Sequence, residues 1–408
     1  MDKQKLKNYA KLILDVGINI QKDDILVISA SVDGLELAKL ITKYAYKLGA
    51  KRVELMFNDE EFTRLQYKYQ TEEQSLELDP WYIDQRNSIA DRKACYIGIL
   101  SENPDAFADV NPQLLAEISA KKHKLLTKYY EGATSNSFRW CLCATPCASW
   151  AHKLFPSATE SDALDNLWHM IFKTMRLDAN NPVDAWKQHI NKLSSLCAII
   201  NDYQFAELRY SNSLGTNLTV GLPQDYVFTG GHELSRDGVE FTANMPTEEI
   251  FTSPDRNKVN GKVFSSMPLI HNGGMVDEFC LEFKDGRIVN YTAKVGFEIL
   301  KGIIETDEGS HYIGEAALVQ FNSPIRKLDT LFYNTLFDEN ASCHLAIGDS
   351  YLTIKGADKM TKEQLAERGL NTSASHVDFM IGTQDMSIIG VTKDGKEVAI
   401  FKDGNFAI

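Results

Sequence analysis

The stretch Asp24-Ile-Leu-Val-Ile-Ser-Ala30 decides the fold. It is a short, nearly continuous apolar run, β-branched at Ile25, Val27 and Ile28, and it reads as a buried strand. Ahead of it, Leu6, Ala10, Ile13, Leu14 and Gly17 recur at helical spacing. Behind it, Asp33 stands where it can cap a helix running through Leu35, Leu37, Ala38, Ile41 and Tyr44 to Gly49. Working outward, Lys51-Arg-Val-Glu-Leu-Met-Phe57, Ala94-Cys-Tyr-Ile-Gly-Ile-Leu100 and Arg139-Trp-Cys-Leu-Cys-Ala-Thr145 repeat the strand signal. Strands alternating with helices imply α/β architecture, a mostly parallel sheet covered by helices. No Gly-x-Gly-x-x-Gly follows the first strand and no Walker sequence occurs, so the sheet receives no cofactor.

Two helical stretches follow, Ala163 to Leu177 and Pro182 to Ile200, the second opened by Pro182. After about residue 203 the texture changes. Glu207-Leu-Arg-Tyr210, Asn217-Leu-Thr-Val-Gly-Leu222 and Val239-Glu-Phe-Thr-Ala-Asn244 look like antiparallel strands. Lys284-Asp-Gly-Arg287, Lys393-Asp-Gly-Lys396 and Lys402-Asp-Gly-Asn405 carry hairpin turns. A chain of 408 residues exceeds one ordinary core. The expected division is therefore an α/β N-terminal domain over 1–203 and an α+β domain over 204–408.

Composition narrows the function. Apolar residues make up 44% and charged residues 24%, which is ordinary for a globular chain. The net charge of −13, without a basic stripe, argues against nucleic acid. It suits a site that gathers carboxylates around cations. No run of 18 apolar residues is present, so no membrane span is expected. The start, Met-Asp-Lys-Gln-Lys-Leu-Lys, is no secretory signal, and a cytoplasmic location is expected. Seven scattered cysteines do not form a disulfide framework. Cys141, Cys143 and Cys147 cluster without a Cys-x-x-Cys pair or a neighbouring His, and read as buried reduced thiols.

The chemistry concentrates late in the chain. In Ser375-His-Val-Asp-Phe-Met-Ile-Gly382, strand alternation puts His376 and Asp378 on one face and Val377, Phe379 and Ile381 on the other. The pair can converge on a cation, or it can be a His–Asp hydrogen bond in a partly buried sheet. Glu248 and Glu249 sit side by side in Asn244-Met-Pro-Thr-Glu-Glu-Ile-Phe-Thr-Ser-Pro254, either neutralised by cations or solvated on an exposed turn. Glu315 lies at the mouth of an apolar strand, or on a sheet edge. His344 opens the short strand ending at Gly348, and Tyr351, after a turn, can fold back toward it. Glu339 adds a carboxylate in what reads as a solvated loop. Two imidazoles with several carboxylates suit divalent zinc, cobalt or manganese. The carboxylates are too many for one tetrahedral zinc, so a metal pair fits better.

The segment 244–254, Gly314-Glu-Ala-Ala-Leu-Val319, Asn340-Ala-Ser-Cys-His-Leu-Ala-Ile-Gly348 and His376-Val-Asp-Phe-Met-Ile-Gly382 closely resemble the M29 family of metalloaminopeptidases. The opening Tyr9-Ala-Lys-Leu-Ile-Leu-Asp-Val-Gly-Ile-Asn-Ile-Gln21 is also similar to the family's start, so the resemblance spans nearly the whole chain. It implies two divalent ions per chain, held by Glu249, Glu315, His344, Tyr351, His376 and Asp378. It also implies peptide substrates, a homodimer and a site in the C-terminal half. Asp349-Ser350 departs from the family's small, uncharged residues, and an extra carboxylate there bears on metal choice or crowds the substrate.

The expected reaction is hydrolysis of the first peptide bond. Glu248 or Glu339 would accept the proton of the attacking water, and Tyr351 would bind metal or stabilise the oxyanion. Neither a His-Glu-x-x-His helix nor a Gly-x-Ser-x-Gly elbow occurs. Cys343 and His344, adjacent in a strand, point to opposite faces and do not pair. The competing reading is a non-catalytic protein whose parallel sheet holds a small ligand.

Overall fold

The computed structural model describes residues 1–271 and 273–408. By their internal contacts they form two compact units, 1–189 with 232–246, and 190–231 with 247–408.

The first unit is built on a four-stranded parallel sheet. In spatial order its strands are Arg52–Phe57, Ile25–Ala30, Cys95–Leu100 and Trp140–Ala144. Ile25–Ala30 is central and buried at every position after the first, which its unbroken apolar run requires. Helices Lys3–Leu12, Leu35–Lys47, Pro80–Asp91, Glu160–Thr174 and others accompany the sheet. Asp2, not expected as a cap, accepts the N–H groups of Gln4 and Lys5 and starts the first helix. That helix passes at Ile13–Gly17 into a wider π turn. Asp33 does not cap Leu35–Lys47: Gly34 takes the cap position without a side-chain bond, because the turn before it already has helical backbone angles. Arg139 is buried and ties the unit together. It donates to the carbonyls of Ile18 (3.1 Å) and Asn19 (2.6 Å) and pairs with Asp24 at 2.7 Å. Cys141, Cys143 and Cys147 are buried free thiols, and burial pushes Cys143 up to about 12.

The second unit holds a nine-stranded antiparallel sheet and a separate four-stranded one. Two of the expected Asp-Gly turns close tight hairpins. Asp285 and Gly286 have φ of 49° and 85° between paired Lys284 and Arg287, and Asp403 and Gly404 have 48° and 69° between Lys402 and Asn405. Both central residues in the left-handed region is the I′ geometry whose twist matches the strands. Of the strand expected over 239–244 only Glu240–Phe241 forms, paired with Glu233–Leu234, and both belong to the first unit. The main core is lined by Leu208, Val220, Phe279, Leu345, Val377 and Phe379, among others, all buried.

Candidate metal centre

The four-stranded sheet runs Ile250–Thr252, Ile313–Leu318, His344–Gly348, His376–Met380 in spatial order, all neighbours antiparallel. Directly opposed residues share a face. Ala317 opposes His344, and His344 opposes Met380. Glu315 opposes Ala346, and Ala346 opposes Asp378. Gly348 opposes His376. One face therefore carries Glu315, His344, His376 and Asp378 around the methyl group of Ala346. The other carries Ala316, Leu318, Leu345, Ile347, Val377 and Phe379 into the core. Glu315 is thus on an inner strand, not an edge. Gly348 has φ of +110°, and a Cβ there would stand 2.0 Å from the Ser375 carbonyl oxygen, so only glycine lets the two His-bearing strands meet.

The side chains converge in two groups that share one carboxylate: Glu249, Glu315 and His344, then Glu315, His376 and Asp378. His344 Nε2 lies 3.1 Å from Glu249 Oε2 and 3.8 Å from Glu315 Oε1. His376 Nε2 lies 3.2 Å from Glu315 Oε2 and 3.4 Å from Asp378 Oδ1. Each ring is held from behind by a main-chain carbonyl: His344 Nδ1 is 3.1 Å from Ser342 O, and His376 Nδ1 is 2.8 Å from Asp349 O. A proton on Nδ1 donates there, which leaves each Nε2 lone pair facing carboxylate oxygens. Lone pair against carboxylate is repulsive unless a cation stands between them. Glu249 Oε2 reports the same need, being buried without a hydrogen-bond partner.

Protons occupy that role when nothing else does. Burial alone would lower His344, but Glu249, Asp378 and Glu315 outweigh it and push it up to about 10. His376 is raised well above its ordinary value, against burial, by Asp378 and Glu315. Glu315 is raised by burial and by Asp378 and Glu249. Asp378 is lowered, burial notwithstanding, by His376 and His344.

Several expectations need correction. Of the two readings left open for Glu248 and Glu249, the exposed turn falls away: they are 3% and 7% exposed. Glu339 does not lie in a solvated loop. It starts the short helical turn Glu339–Ala341, and burial together with the charges of Asp378 and Glu249 holds it well above the carboxylate range. Tyr351 lies against His376. The strand holding His376 runs beside Gly348, so the chain leaving Gly348 meets His376 first, and the Tyr351 ring packs edge-on against that imidazole at 5.2 Å. Tyr351 is 43% exposed as a residue, and desolvation at its phenol, then the charges of Glu315, Asp378, Glu339 and Glu249, raise it above its usual value. The Asp349 carboxylate accepts the Ser373 N–H at 3.0 Å, outside both groups. Cys343 points away from His344 into the core, its Sγ 3.2 Å from Val319 O and its pKa pushed to about 12 by burial.

Some contributors had no sequence signal. Asn340 Oδ1 accepts the Glu248 N–H at 2.7 Å while its Nδ2 donates to Leu336 O (3.0 Å) and Glu339 Oε1 (3.3 Å), bracing both acidic segments. Ser342 and Asp349 act through main-chain carbonyls, which any residue supplies. Beside Glu339 and Asp378 opens a pocket of about 50 Å³, walled by Leu269, Ile270, Tyr333 and Met380.

Comparison with known proteins fits this centre. Residues 2–406 match the family described as thermophilic metalloprotease (M29). The chain is 43% identical to aminopeptidase AmpS of Bacillus subtilis (strain 168), over 99% of this chain and 98% of that one. It is 40% identical to aminopeptidase PepS of Streptococcus thermophilus, over 100% and 98%. The solved structure of wild-type AmpT from Thermus thermophilus superimposes with a TM-score of 0.93 at 29% identity, covering 100% of both chains.

Proposed function

The chain belongs to the M29 metalloprotease family, and on that premise we propose that it removes single residues from the N-termini of peptides with the help of two divalent cations. It is a hydrolase acting on peptides, as its aminopeptidase relatives are. The observation that carries the dinuclear reading is the Glu315 carboxylate, one oxygen turned to each imidazole. Glu249, Glu315 and His344 would hold one ion. Glu315, His376, Asp378 and the Tyr351 hydroxyl would hold the other. Zinc, cobalt and manganese all suit this oxygen-rich, two-imidazole donor set. Glu249, Glu315, Glu339 and Asp378 together match the charge of two dications when both rings are neutral.

Bound ions would supply Lewis acidity toward the scissile carbonyl and a water made acidic enough to attack near neutral pH. The residues do the rest. A carboxylate of this group that is not fully engaged by an ion would pair with the free amine at the start of a peptide, and so select its first residue. Glu339 takes the attacking water's proton and returns it to the leaving amine. We favour it over Glu248 because its charge acts together with Asp378, Glu249 and Glu315. Tyr351, where it is not itself a ligand, donates its hydroxyl proton toward the oxygen that becomes negative. The pocket walled by Leu269, Ile270 and Met380 suits an uncharged first side chain.

A homodimer in the cytoplasm is the setting we infer. No helix among the described residues is long and apolar enough to cross a membrane. Phe62, Tyr69 and Trp81, 71%, 77% and 65% exposed, are apolar surface of the kind that subunit contacts cover. The test is release of free leucine from a leucyl peptide, before and after chelation, with elemental analysis of metal per chain. Turnover that survives complete metal removal, or a preparation that turns over with one ion per chain, would sink the proposal.

A further inference from the structure

Open parallel sheets hold ligands outside the carboxyl ends of their strands, where successive connections leave in opposite directions. In the first unit that point lies between Ile25–Ala30 and Cys95–Leu100, because Arg52–Phe57 flanks one of them and Trp140–Ala144 the other. The segments that follow three of the strand ends carry Asp33, Asp59 with Glu60, and Glu102. Glu60 Oε2 accepts the Asn103 N–H at 2.7 Å, which joins two of the segments. Asp59 acts on both Asp33 and Glu60, and Glu102 acts on Glu60. Burial first, and this repulsion second, raise Asp33 and bring Glu60 to about 7. Among the described residues, Asp33, Glu60 and Glu102 form no ion pair. Asp33 and Glu102 are exposed, so the group is open to solvent.

A second observation points to a ligand. Thr145 Oγ1 and Ser101 Oγ are buried hydroxyls without any hydrogen-bond partner, in residues 1% and 9% exposed. The Thr145 N–H donates to Leu100 O at 2.8 Å and extends the pairing one residue beyond the sheet, so Ser101 and Thr145 stand side by side. Ser101 shares the face of Ile99, and Gly34, next to Asp33, packs on that face: a Cβ on Gly34 would lie 3.0 Å from Ile99 Cγ2. The two unfilled hydroxyls are thus turned to the side of the sheet on which the acidic segment lies.

We propose that this crevice binds a primary ammonium group. An ammonium brings three N–H donors and no acceptor. The place offers carboxylates, which only accept, two hydroxyls without a partner and, among the described residues, no ion pair to these carboxylates. A single metal ion suits it less, since among the described residues no three of these carboxylates bring oxygens within 4.8 Å of one another. The site lies wholly within the first unit and does not rest on the peptidase reading.

The test is calorimetric titration of the full chain, metal-loaded and metal-free, with 1,4-diaminobutane and with Nα-acetyl-lysine amide, whose blocked N-terminus offers nothing to an aminopeptidase. Saturable one-to-one binding is expected in both metal states, weakened about tenfold by Glu60→Gln and by the near-isosteric Thr145→Val. Tetramethylammonium, which has the charge but no N–H, is expected not to bind. Binding of the diamine alone assigns a free amine, and binding of both assigns a lysyl side chain. The proposal is overturned by absence of saturable binding of either probe, by unchanged affinity in Thr145→Val and Glu60→Gln, or by binding that disappears with the metals.

Discussion

Glu315 Oε2 lies 3.2 Å from His376 Nε2. The other oxygen of the same carboxylate faces His344, so this one side chain belongs to both candidate ion sites. Its loss should therefore differ in kind from the loss of its neighbours. Glu315→Gln is expected to empty both positions, whereas His376→Ala is expected to leave about one ion per chain. Activity should fall at least a hundredfold in each. Metal stoichiometry by elemental analysis checks this, and equal stoichiometry in the two variants would show that Glu315 is not shared.

Metal loading should release protons. Without ions, His344 is raised to about 10 and His376 is raised as well, so at pH 7 both rings carry protons that a cation has to displace. Apparent metal affinity should then fall as pH is lowered from 8 to 6. For the metal-free protein the sign of the stability effect is fixed too. The folded pKa of His344 lies above its unfolded value, so its contribution is complete below about 6.5 and is lost as pH rises through about 10. Calorimetry in buffers of different ionisation enthalpy reads the released protons. Loading without proton release would contradict the geometry at both Nε2 atoms.

Ala346 opposes both Glu315 and Asp378 across the sheet, and its methyl group is what keeps the middle of the functional face low. Ala346→Leu is expected to fill the space between the two carboxylates. Metal content should drop while far-ultraviolet circular dichroism stays unchanged. Full metal occupancy in this variant would place the ions elsewhere.

Glu339 is assigned the proton transfer and not metal binding. Glu339→Gln should retain both ions and its KM while kcat falls about a hundredfold or more. A loss of metal instead would make Glu339 a ligand. The same substitution at Glu248 separates the two glutamates as proton acceptors.

Arg139 is 5% exposed at its side chain and is paired with Asp24 while bonded to two carbonyls. Arg139→Met leaves a carboxylate and two acceptors without their donor, which costs about 3–5 kcal/mol. Urea unfolding checks the figure. A loss below about 1 kcal/mol would mean that water replaces the guanidinium at no cost.

Much of the centre was legible from local pattern. The period-two alternation of His376-Val-Asp-Phe-Met separates the polar face from the core face without any knowledge of neighbours, and the structure keeps that division. The strand His344–Gly348 and the parallel strand Ile25–Ala30 were readable for the same reason: apolar runs of that length bury themselves. The burial of Glu248, Glu249 and Glu339 was not readable, because a carboxylate looks the same in sequence whether water or a cation neutralises it. Nor was the destination of Tyr351, which depends on which strand runs beside Gly348.

The sequence by itself determined the residue types, their order and the face of the strand on which each stands, since strand alternation is set by backbone geometry within a few residues. Only the tertiary structure decided that Glu315, His344 and Asp378, far apart in the chain, share one face of the sheet around Ala346. It also decided that main-chain carbonyls orient both imidazoles. Pairing between distant strands is selected by burial of their common apolar face, a property of the assembled core that no single segment contains.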